Sequence, residues 1–414
     1  MKPQYGPLRR APTRTALRRL VAGAAASAPV SLGQAVIAGA RRGLEVARTA
    51  RRGVLTLTPA RGSTSRALVV ADPTPLRDAQ PRRVIIPSVV MLVHALRDLG
   101  YTVDVVGNAG AASVPAQPYT SCIGTRSALA AARILPRGCR TVLLADTVDV
   151  LAQNVAELDR LVELKDRRGV VLAPVRYERS AQLVDPPDAI IVVGNDITLS
   201  AYDHGGKTLH AVPAAADLDR PSPAGKDLVR LGGRFLWIGD RGLVHQGLHL
   251  VLEAFAGLPT CELTVCGPVD AEPGFRAAFS RELYAAPNIR TVGDIDPGSA
   301  RFAEIADGAA AFILPAALQA QSATAVATMQ AGLIPIVSRE CGLDVDDFGL
   351  VLDDCTAAAI RSAVGHVGAL PPTRRLEMAV RAWEVGRARH RPAPVVARYR
   401  EALRSLLRPA PVTG

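Results

Sequence analysis

Several common signatures are missing from this 414-residue sequence, and each absence argues against a class of protein. No run of about eighteen apolar residues occurs, so a membrane-spanning helix is not expected. A G-x-G-x-x-G after the first predicted strand and a complete P-loop motif are both missing, which argues against a dehydrogenase and a P-loop nucleotidase. The cysteines form no C-x-x-C pair, which favours small buried residues in a reducing compartment over zinc ligands or disulfides. They lie at positions 122, 139, 261, 266, 341 and 355.

Acidic residues are also scarce at the start of the chain. Residues 1–53 hold eleven Lys or Arg and the single acid Glu45, which accounts for +10 of the formal net charge of +11. The remainder is nearly neutral, so no basic groove for nucleic acid is expected. With 49% hydrophobic and 21% charged residues, the chain is typical of a soluble globular protein and long enough for two domains.

Two interpretations of the basic leader, residues 1–53, stand side by side. It is either a disordered tail or a segment that lies on an anionic membrane surface, where each basic residue contributes on the order of 1 kcal/mol. A transit peptide is a third interpretation, ranked lower because Arg makes up 45 of the 49 basic residues along the whole chain. We expect a cytoplasmic location, with peripheral contact to the inner membrane face left open.

Short apolar segments alternate with helical segments after the leader. This alternation is typical of parallel sheets covered by helices on both faces, so the sequence predicts an α/β protein with two doubly wound units. A helix is expected at residues 84–99. The predicted strands are residues 67–71, 101–106, 141–145, 170–172 and 189–193 in the first unit, and 235–239, 262–266, 288–292, 310–314 and 334–337 in the second.

Two glycine-containing segments of the second unit carry the functional signal. Residues 235–247 read FLWIGDRGLVHQG, and residues 315–338 begin PAALQ and end AGLIPIVS. Each places a strand end beside a helix start, where backbone N–H groups and the helix dipole can hold a phosphate. Together, over roughly residues 234–383, they resemble the donor half of the retaining family 4 glycosyltransferases, two-lobed enzymes that use nucleotide sugars.

The resemblance implies the GT-B fold, in which two Rossmann-like domains face each other across a cleft. Residues 54–225 would form the acceptor-side domain, and residues 226–384 the nucleotide-sugar donor domain. Residues 385–414 would form a C-terminal helix that packs back on the first domain. No cofactor and no metal ion are expected. In the retaining mechanism of this family the leaving phosphate itself takes the acceptor proton, so no enzymic nucleophile is needed.

The resemblance also assigns residues to the reaction, and three of the positions have lost an ionisable side chain. Arg241 stands where the family has an Arg that stabilises the diphosphate, while Gln246 occupies the place of its Lys. Gln319 and Ala327 replace the family's two glutamates, which contact the donor sugar and the ribose. Loss of one donor to a developing anion typically costs about 3 kcal/mol. Arg241 and Gln319 remain the catalytic candidates.

Further donor-site candidates follow from the same motifs. They are the glycines of the strand-end loops and two hydroxyls at a helix start, whose alternative role is capping that helix. Backbone N–H groups near Gly242 and Ser322 are expected to contact the diphosphate. His245 either reaches a donor phosphate or is solvated. The remaining donor-side candidates are Gly239, Gly267 and Thr324.

Acceptor-side candidates come from the first unit. Asp146 and Asp149 follow a predicted strand at the carboxyl end of the sheet, where an open α/β site gathers its residues; the alternative is two solvated loop acids. His94, in the middle of a predicted helix, is expected to be a packing or surface residue.

The sequence therefore predicts transfer of a sugar from a nucleoside diphosphate to a polysaccharide or other cell-surface glycan. The main alternative is a protein of the same shape that binds a nucleotide sugar, a glycan or a partner enzyme without catalysis, as the residues at positions 246, 319 and 327 would allow. A two-lobed sugar-nucleotide epimerase would need acids in the cleft that the sequence does not place there.

Overall fold

The computed structural model describes residues 53–59, 65–77, 84–107, 114–125, 135, 138–178, 187–202 and 207–407. The interpretations of the basic leader therefore concern residues that lie, except for Gly53, outside the described part. Among the described residues, no helix combines the length and the apolar character needed to cross a membrane.

The first domain is built on a mostly parallel sheet. Its strands are β1 (Leu55–Leu57), β2 (Ser65–Val70), β3 (Ile85–Ile86), β4 (Tyr101–Val106), β5 (Ser121–Gly124), β6 (Arg140–Ala145), β7 (Ala189–Val193) and β8 (Thr208–Val212), and its helices are α1 (Thr74–Arg77), α2 (Ser88–Asp98), α3 (Val150–Arg168) and α4 (Asp196–Ser200). The sheet order is β1-β4-β2-β5-β6-β7-β8. Only the edge strand β1 pairs antiparallel, with β4; the other pairs of this sheet are parallel.

The second domain repeats the pattern with a fully parallel sheet. After β9 (Ala215–Ala216), its elements are strands β10 (Arg234–Ile238), β11 (Glu262–Cys266), β12 (Ile289–Gly293), β13 (Ala311–Leu314), β14 (Ile334–Ser338) and β15 (Leu350–Leu352) and helices α5 (Leu248–Ala256), α6 (Pro273–Ala278), α7 (Ser280–Tyr284), α8 (Ala300–Asp307), α9 (Ala323–Gln330) and α10 (Ala357–Ala369). The sheet order is β12-β11-β10-β13-β14-β15. The predicted α/β architecture with two doubly wound domains is confirmed.

Two C-terminal helices connect the domains. Helix α11 (Pro372–His390) packs on α9 of the second domain, and α12 (Pro392–Leu406) packs on α2 of the first. The side chain of Gln330 fixes the chain between the domains, since it accepts from Leu218 N and donates to Ala216 O and Gly386 O. One hydrophobic cluster runs through both domains and α12, so they share a core.

The predicted helix at residues 84–99 begins later than expected. Ile85 and Ile86 form β3 and pair antiparallel with β9, and Pro87 then precedes the first helical residue, Ser88. Ile85 and Ile86, which the apolar pattern alone assigned to the helix, therefore belong to the short β3–β9 pair.

The predicted strand at residues 170–172 is wrong. Helix α3 ends at Arg168, and Gly169 caps it in the left-handed conformation, with φ 69°. Residues 170–178, here called the crossing segment, leave the sheet because side chains of α3 satisfy their backbone: Glu157 Oε1 accepts from Val175 N and Arg176 N at 2.7 and 2.8 Å.

Helix α3 itself packs against the second domain. Arg168 pairs with Glu282 at 2.9 Å and stacks on the Phe279 ring at 4.6 Å. Arg160 Nη2 donates to Pro315 O at 3.1 Å. The crossing segment and α3 together therefore cover the face of the second domain on which the predicted motif loops lie.

Candidate functional site

The two predicted motif loops of the second domain meet at the carboxyl ends of β10 and β13. Ala317 N donates to His245 O at 2.7 Å. Gly247 has a φ of 74°, and a Cβ on it would lie only 2.3 Å from Pro315 O. Glycine is required here because the loops approach more closely than any side chain allows. Carboxyl ends of parallel strands are where open α/β folds form their sites, so this junction is the candidate site.

Gln246 and Gln319, two of the three positions that depart from the resembling family, touch each other. Gln246 Nε2 donates to Gln319 Oε1 at 3.0 Å. Gln246 and Gln319 are only 3% and 4% exposed. Gln319 Nε2 is buried and has no hydrogen-bond partner among the described residues. The site therefore contains a neutral amide pair with one unmet donor group.

Arg176 of the crossing segment reaches this pair from the first domain. Its Nη1 donates to the same Gln319 Oε1 at 2.8 Å. The aliphatic part of the side chain lies over Gly242, which has a φ of 84° and where a Cβ would come within 2.7 Å of Arg176 Cγ. Burial lowers the pKa of Arg176, while nearby carboxylates, Asp240 first, oppose that shift. A half-buried guanidinium thus stands beside the neutral pair.

The backbone amides that were expected to bind a diphosphate donate to a carboxylate instead. Glu272 Oε1 accepts from Gly242 N at 2.5 Å and from Leu243 N at 3.2 Å. Burial raises the pKa of Glu272, and these hydrogen bonds and Arg241 partly offset it. In this arrangement the Gly242 amide is not free for a phosphate. Arg241 is exposed and lines a cavity of about 220 Å³ next to Glu272.

His245 is neither solvated nor placed as a cation. It is fully buried, and its Nε2 donates to Leu318 O at 3.1 Å. Burial, with Arg176 and Arg160 nearby, lowers its pKa to about 3, so the ring is neutral at physiological pH. Its backbone carbonyl joins the loops, and its ring packs behind them.

Other donor-side candidates have structural roles. A Cβ on Gly239 or Gly267 would lie 2.7 Å from the Trp237 ring, so both glycines make room for that side chain. Ser322 Oγ accepts from Ala325 N at 3.2 Å and caps α9. Beyond these, Thr324 is half-buried in the first turn of α9, and Ala327 is fully buried in the shared core.

On the acceptor side, Asp149 caps α3, since its Oδ1 accepts from Leu151 N and Ala152 N at 2.9 and 3.2 Å. Asp146 is exposed at the end of β6, and His94 is exposed on α2. None of the three lies among the residues that contact the Gln246–Gln319 pair. Among the described residues, no group of three His, Cys, Asp or Glu is arranged to hold a metal ion.

Three residues of the site were missed by sequence reasoning. Glu272 follows β11 on its carboxyl side, a position that the topology rule for α/β sites would have flagged. Arg176 and Glu157 carry no such signal, because their roles depend on α3 and the crossing segment leaving the first sheet. Because the pattern at residues 170–172 indicated a strand, it gave no sign that the chain leaves the sheet there.

The sequence matches no protein-family model, and no curated protein matches it either. Solved structures do match. Three examples are sucrose-phosphate synthase from Thermosynechococcus elongatus (TM-score 0.59, 14% identity, 83% of this chain and 99% of that chain), a glycosyltransferase from Rickettsia africae (0.56, 10%, 84% and 99%) and HepE from Anabaena in complex with UDP and glucose (0.54, 12%, 83% and 100%). At these identities the likeness establishes the fold alone. The chain has the two-domain GT-B architecture.

Proposed function

We propose that the protein is a nucleotide-sugar-dependent glycosyltransferase that moves a sugar, with retention, to a polysaccharide or other cell-surface glycan. The observation that carries this proposal is the meeting of the two motif loops. Gln246 and Gln319 lie 73 positions apart in the chain, yet their side chains are in contact at the carboxyl ends of β10 and β13, facing the first domain. That is the position where an α/β fold of this kind binds a nucleotide.

The surroundings of individual residues support the roles proposed for them. Arg241 is exposed beside the cavity at the domain junction, where its guanidinium can pair with a diphosphate. Gln319 retains an unpartnered Nε2 that can donate to a sugar hydroxyl. The acceptor would lie against the first domain near Asp146. In this mechanism the departing phosphate takes the acceptor proton, and the reaction is expected to need no cofactor or metal ion.

Nucleoside diphosphates test the proposal directly. UDP, GDP, ADP and dTDP are added separately to the full chain, and the expected result is a rise in melting temperature with at least one of them. Arg241→Ala should remove that rise and abolish sugar transfer. Arg276→Ala, an exposed arginine of the same domain paired with Asp270, is the matched control and should keep both. A wild-type protein that none of the four nucleotides stabilises would contradict the proposal.

We also propose a cytoplasmic protein whose residues 1–53 contact the inner membrane face. The eleven basic residues of this leader support the proposal, because anionic lipid surfaces attract clustered Lys and Arg. Sedimentation with phosphatidylglycerol vesicles, compared for the full chain and a chain that begins at residue 54, tests it. Equal sedimentation of the two would argue against a membrane role for the leader.

A second candidate function is binding without catalysis, to a nucleotide sugar, a glycan or an active partner enzyme. The contact of Glu272 with the Gly242 and Leu243 amides favours it, because an internal anion already takes donors that a diphosphate would use. The two functions differ in turnover. A binder would be stabilised by a nucleoside diphosphate yet release no product from any nucleotide sugar, and Gln246→Lys with Gln319→Glu would be the variant in which to look for hydrolysis.

A further inference from the structure

We propose that Arg176 supplies the positive charge that the donor site lacks at position 246. Its guanidinium would contact the leaving diphosphate, so that a residue of the first domain completes the donor site of the second. This inference rests on the proposed transferase function and deepens it. The need for such a charge is clear, because the family's lysine is replaced by Gln246 and the nearby amides are taken by Glu272.

The guanidinium lies close to the position of the missing cation. Arg176 Nη1 and Gln246 Nε2 donate to the same oxygen, Gln319 Oε1, at 2.8 and 3.0 Å. Both nitrogens therefore lie within hydrogen-bonding distance of one oxygen. Arg176 places its charge in the immediate surroundings of the Gln246 amide.

The charges of the neighbouring positions fit this exchange. A lysine at position 246 would put an ammonium group beside the Arg176 guanidinium, and like charges at such range repel each other. A glutamate at position 319 would pair with Arg176 and neutralise it. Glutamine at both positions keeps the hydrogen bonds and adds no further charge to the carboxylates, Asp240 first, that already lie near Arg176. This explains why a chain with 45 arginines carries no cation at position 246.

Arg176 differs from Arg375, a buried arginine that has a structural role within the second domain. Arg375 donates to three backbone carbonyls, those of Val367, Gly368 and Leu228. Within the described part of the chain, the side chain of Arg176 makes a single hydrogen bond, to Gln319, and no ion pair. A guanidinium has several N–H donors in a fork that matches phosphate oxygens. Most of those donors remain available at the site.

The amide of Gln319 supplies a second, independent sign of a ligand. Its Nε2 is buried without a partner among the described residues. The neighbouring Gln321, by contrast, uses both ends of its amide: it accepts from Ala214 N and donates to Gly342 O. A buried donor without a partner costs about 1–3 kcal/mol, and a bound oxygen would remove that cost.

The backbone around Arg176 holds the side chain in place. Glu157 Oε1 accepts from Arg176 N at 2.8 Å, and the absence of a side chain on Gly242 leaves the space through which the arginine passes. A charge fixed in advance near a developing anion stabilises the transition state more than a mobile one does. Arg176 would therefore contribute to turnover as well as to donor binding.

The test compares arginine variants in the full chain with UDP, GDP, ADP and dTDP as probes and the corresponding nucleotide sugars as donors. Arg176→Gln should lose the thermal stabilisation by the nucleotide that stabilises the wild type. It should also lower kcat about 100- to 1000-fold. Arg176→Lys, which keeps the charge without the fork, should fall between the two. Arg276→Gln is the matched control and should behave as wild type. Undiminished or tighter nucleotide binding by Arg176→Gln would overturn the inference, since Arg176 would then only fill the site.

Moving the charge provides a second measurement that guards against a folding defect. Arg176→Gln combined with Gln246→Lys should recover at least about tenfold in transfer over Arg176→Gln alone, because the cation returns to the neighbouring position. Gln246→Lys alone should be less active than wild type, since two cations then meet. If it is more active and the double variant shows no recovery, Arg176 does not act as the substitute. Failure of the transferase function looks different: the wild type itself neither binds a nucleoside diphosphate nor turns over a donor.

Discussion

Gly247 shows at the level of a single residue how tightly the two motif loops are joined. Its φ of 74° is unfavourable for other residues, and a Cβ would lie 2.3 Å from Pro315 O, a backbone atom that cannot move aside cheaply. We predict that Gly247→Ala destabilises the protein by about 3 kcal/mol or more, because the strained backbone and the clash add. Denaturant unfolding measures the change.

Gly293 is the matched control for this prediction. Its φ is 89°, and nothing lies within 4 Å of the position that a Cβ would take. Gly293→Ala should therefore show only the backbone term, about 1–2 kcal/mol. Equal losses in the two variants would mean that the loops can separate, and that Gly247 is not needed for their contact.

The residues of the candidate site divide by how their roles arise. Gln246 and Gln319 were predictable as departures from a motif, since spacing along the chain identifies them. Their direct contact was not predictable, because it depends on how β10 and β13 pair in the sheet. Arg176 and Glu272 act on the site from outside the two motif segments, and no local pattern announces such contacts. Ser322 and Asp149 illustrate the reverse. Both match the pattern of a site residue, yet the Ser322 hydroxyl caps α9 and the Asp149 carboxylate caps α3.

At the level of elements, helix α3 and the crossing segment determine which residues of the first domain reach the candidate site. Strands with strong apolar patterns, such as β2, β6, β7 and β10, were predictable because burial on both faces of a parallel sheet leaves a continuous apolar run. Residues 170–172 have a similar run but form no strand. Their apolar side chains are used elsewhere: Val170 and Leu172 pack on the core of the second domain, so the pattern was satisfied by an interdomain contact.

Helix α5 carries a pH-sensitive residue that faces this interface. His249 is fully buried, neither ring nitrogen has a partner in the described part of the chain, and burial holds its pKa well below the ordinary value. Below about pH 6.5, His249 binds a proton in the unfolded chain but stays neutral in the folded protein. The free energy of unfolding therefore falls on acidification by up to about 1.4 kcal/mol per pH unit. We predict that His249→Leu removes this loss. Unfolding free energies at pH 7.5 and 5.5 should show the variant gaining on the wild type by about 1 kcal/mol at the lower pH.

His94 on α2 supplies the control for the pH experiment. Its side chain is exposed, so it is solvated before and after unfolding. His94→Gln, a substitution at an exposed histidine, should therefore keep the unfolding free energy within about 0.5 kcal/mol of the wild type. A His249→Leu variant with the same pH dependence as the wild type would show that His249 accepts a proton in the folded protein.

On the scale of the whole molecule, the two domains do not stand apart as independent units. The hydrophobic cluster that includes Val69 of β2 also includes Phe312 of β13 and Leu403 of α12. Buried glutamines add hydrogen bonds between the domains: Gln321 accepts from Ala214 N, while its other end donates to Gly342 O within the second domain. The order of strands and helices predicts two domains, and the resemblance implies that the C-terminal helix packs on the first. The continuity of the core could not be foreseen, since it depends on which side chains of α12 meet α2 and the second domain.

A shared core predicts that both domains unfold together. Leu403 is fully buried in α12, and Leu403→Ala should cost about 2–5 kcal/mol by leaving a cavity. In a Trp383→Phe background, Trp237 alone reports on the second domain while far-ultraviolet circular dichroism reports on both. The two signals should give one coincident transition, shifted equally by Leu403→Ala, although Leu403 lies on a helix that packs against the first domain. Leu151→Ala, at a residue 66% exposed, is the control and should stay within about 0.5 kcal/mol of the parent. A Trp237 transition that keeps its midpoint in Leu403→Ala would show that the second domain is stable by itself, and that the core through α12 does not couple the two.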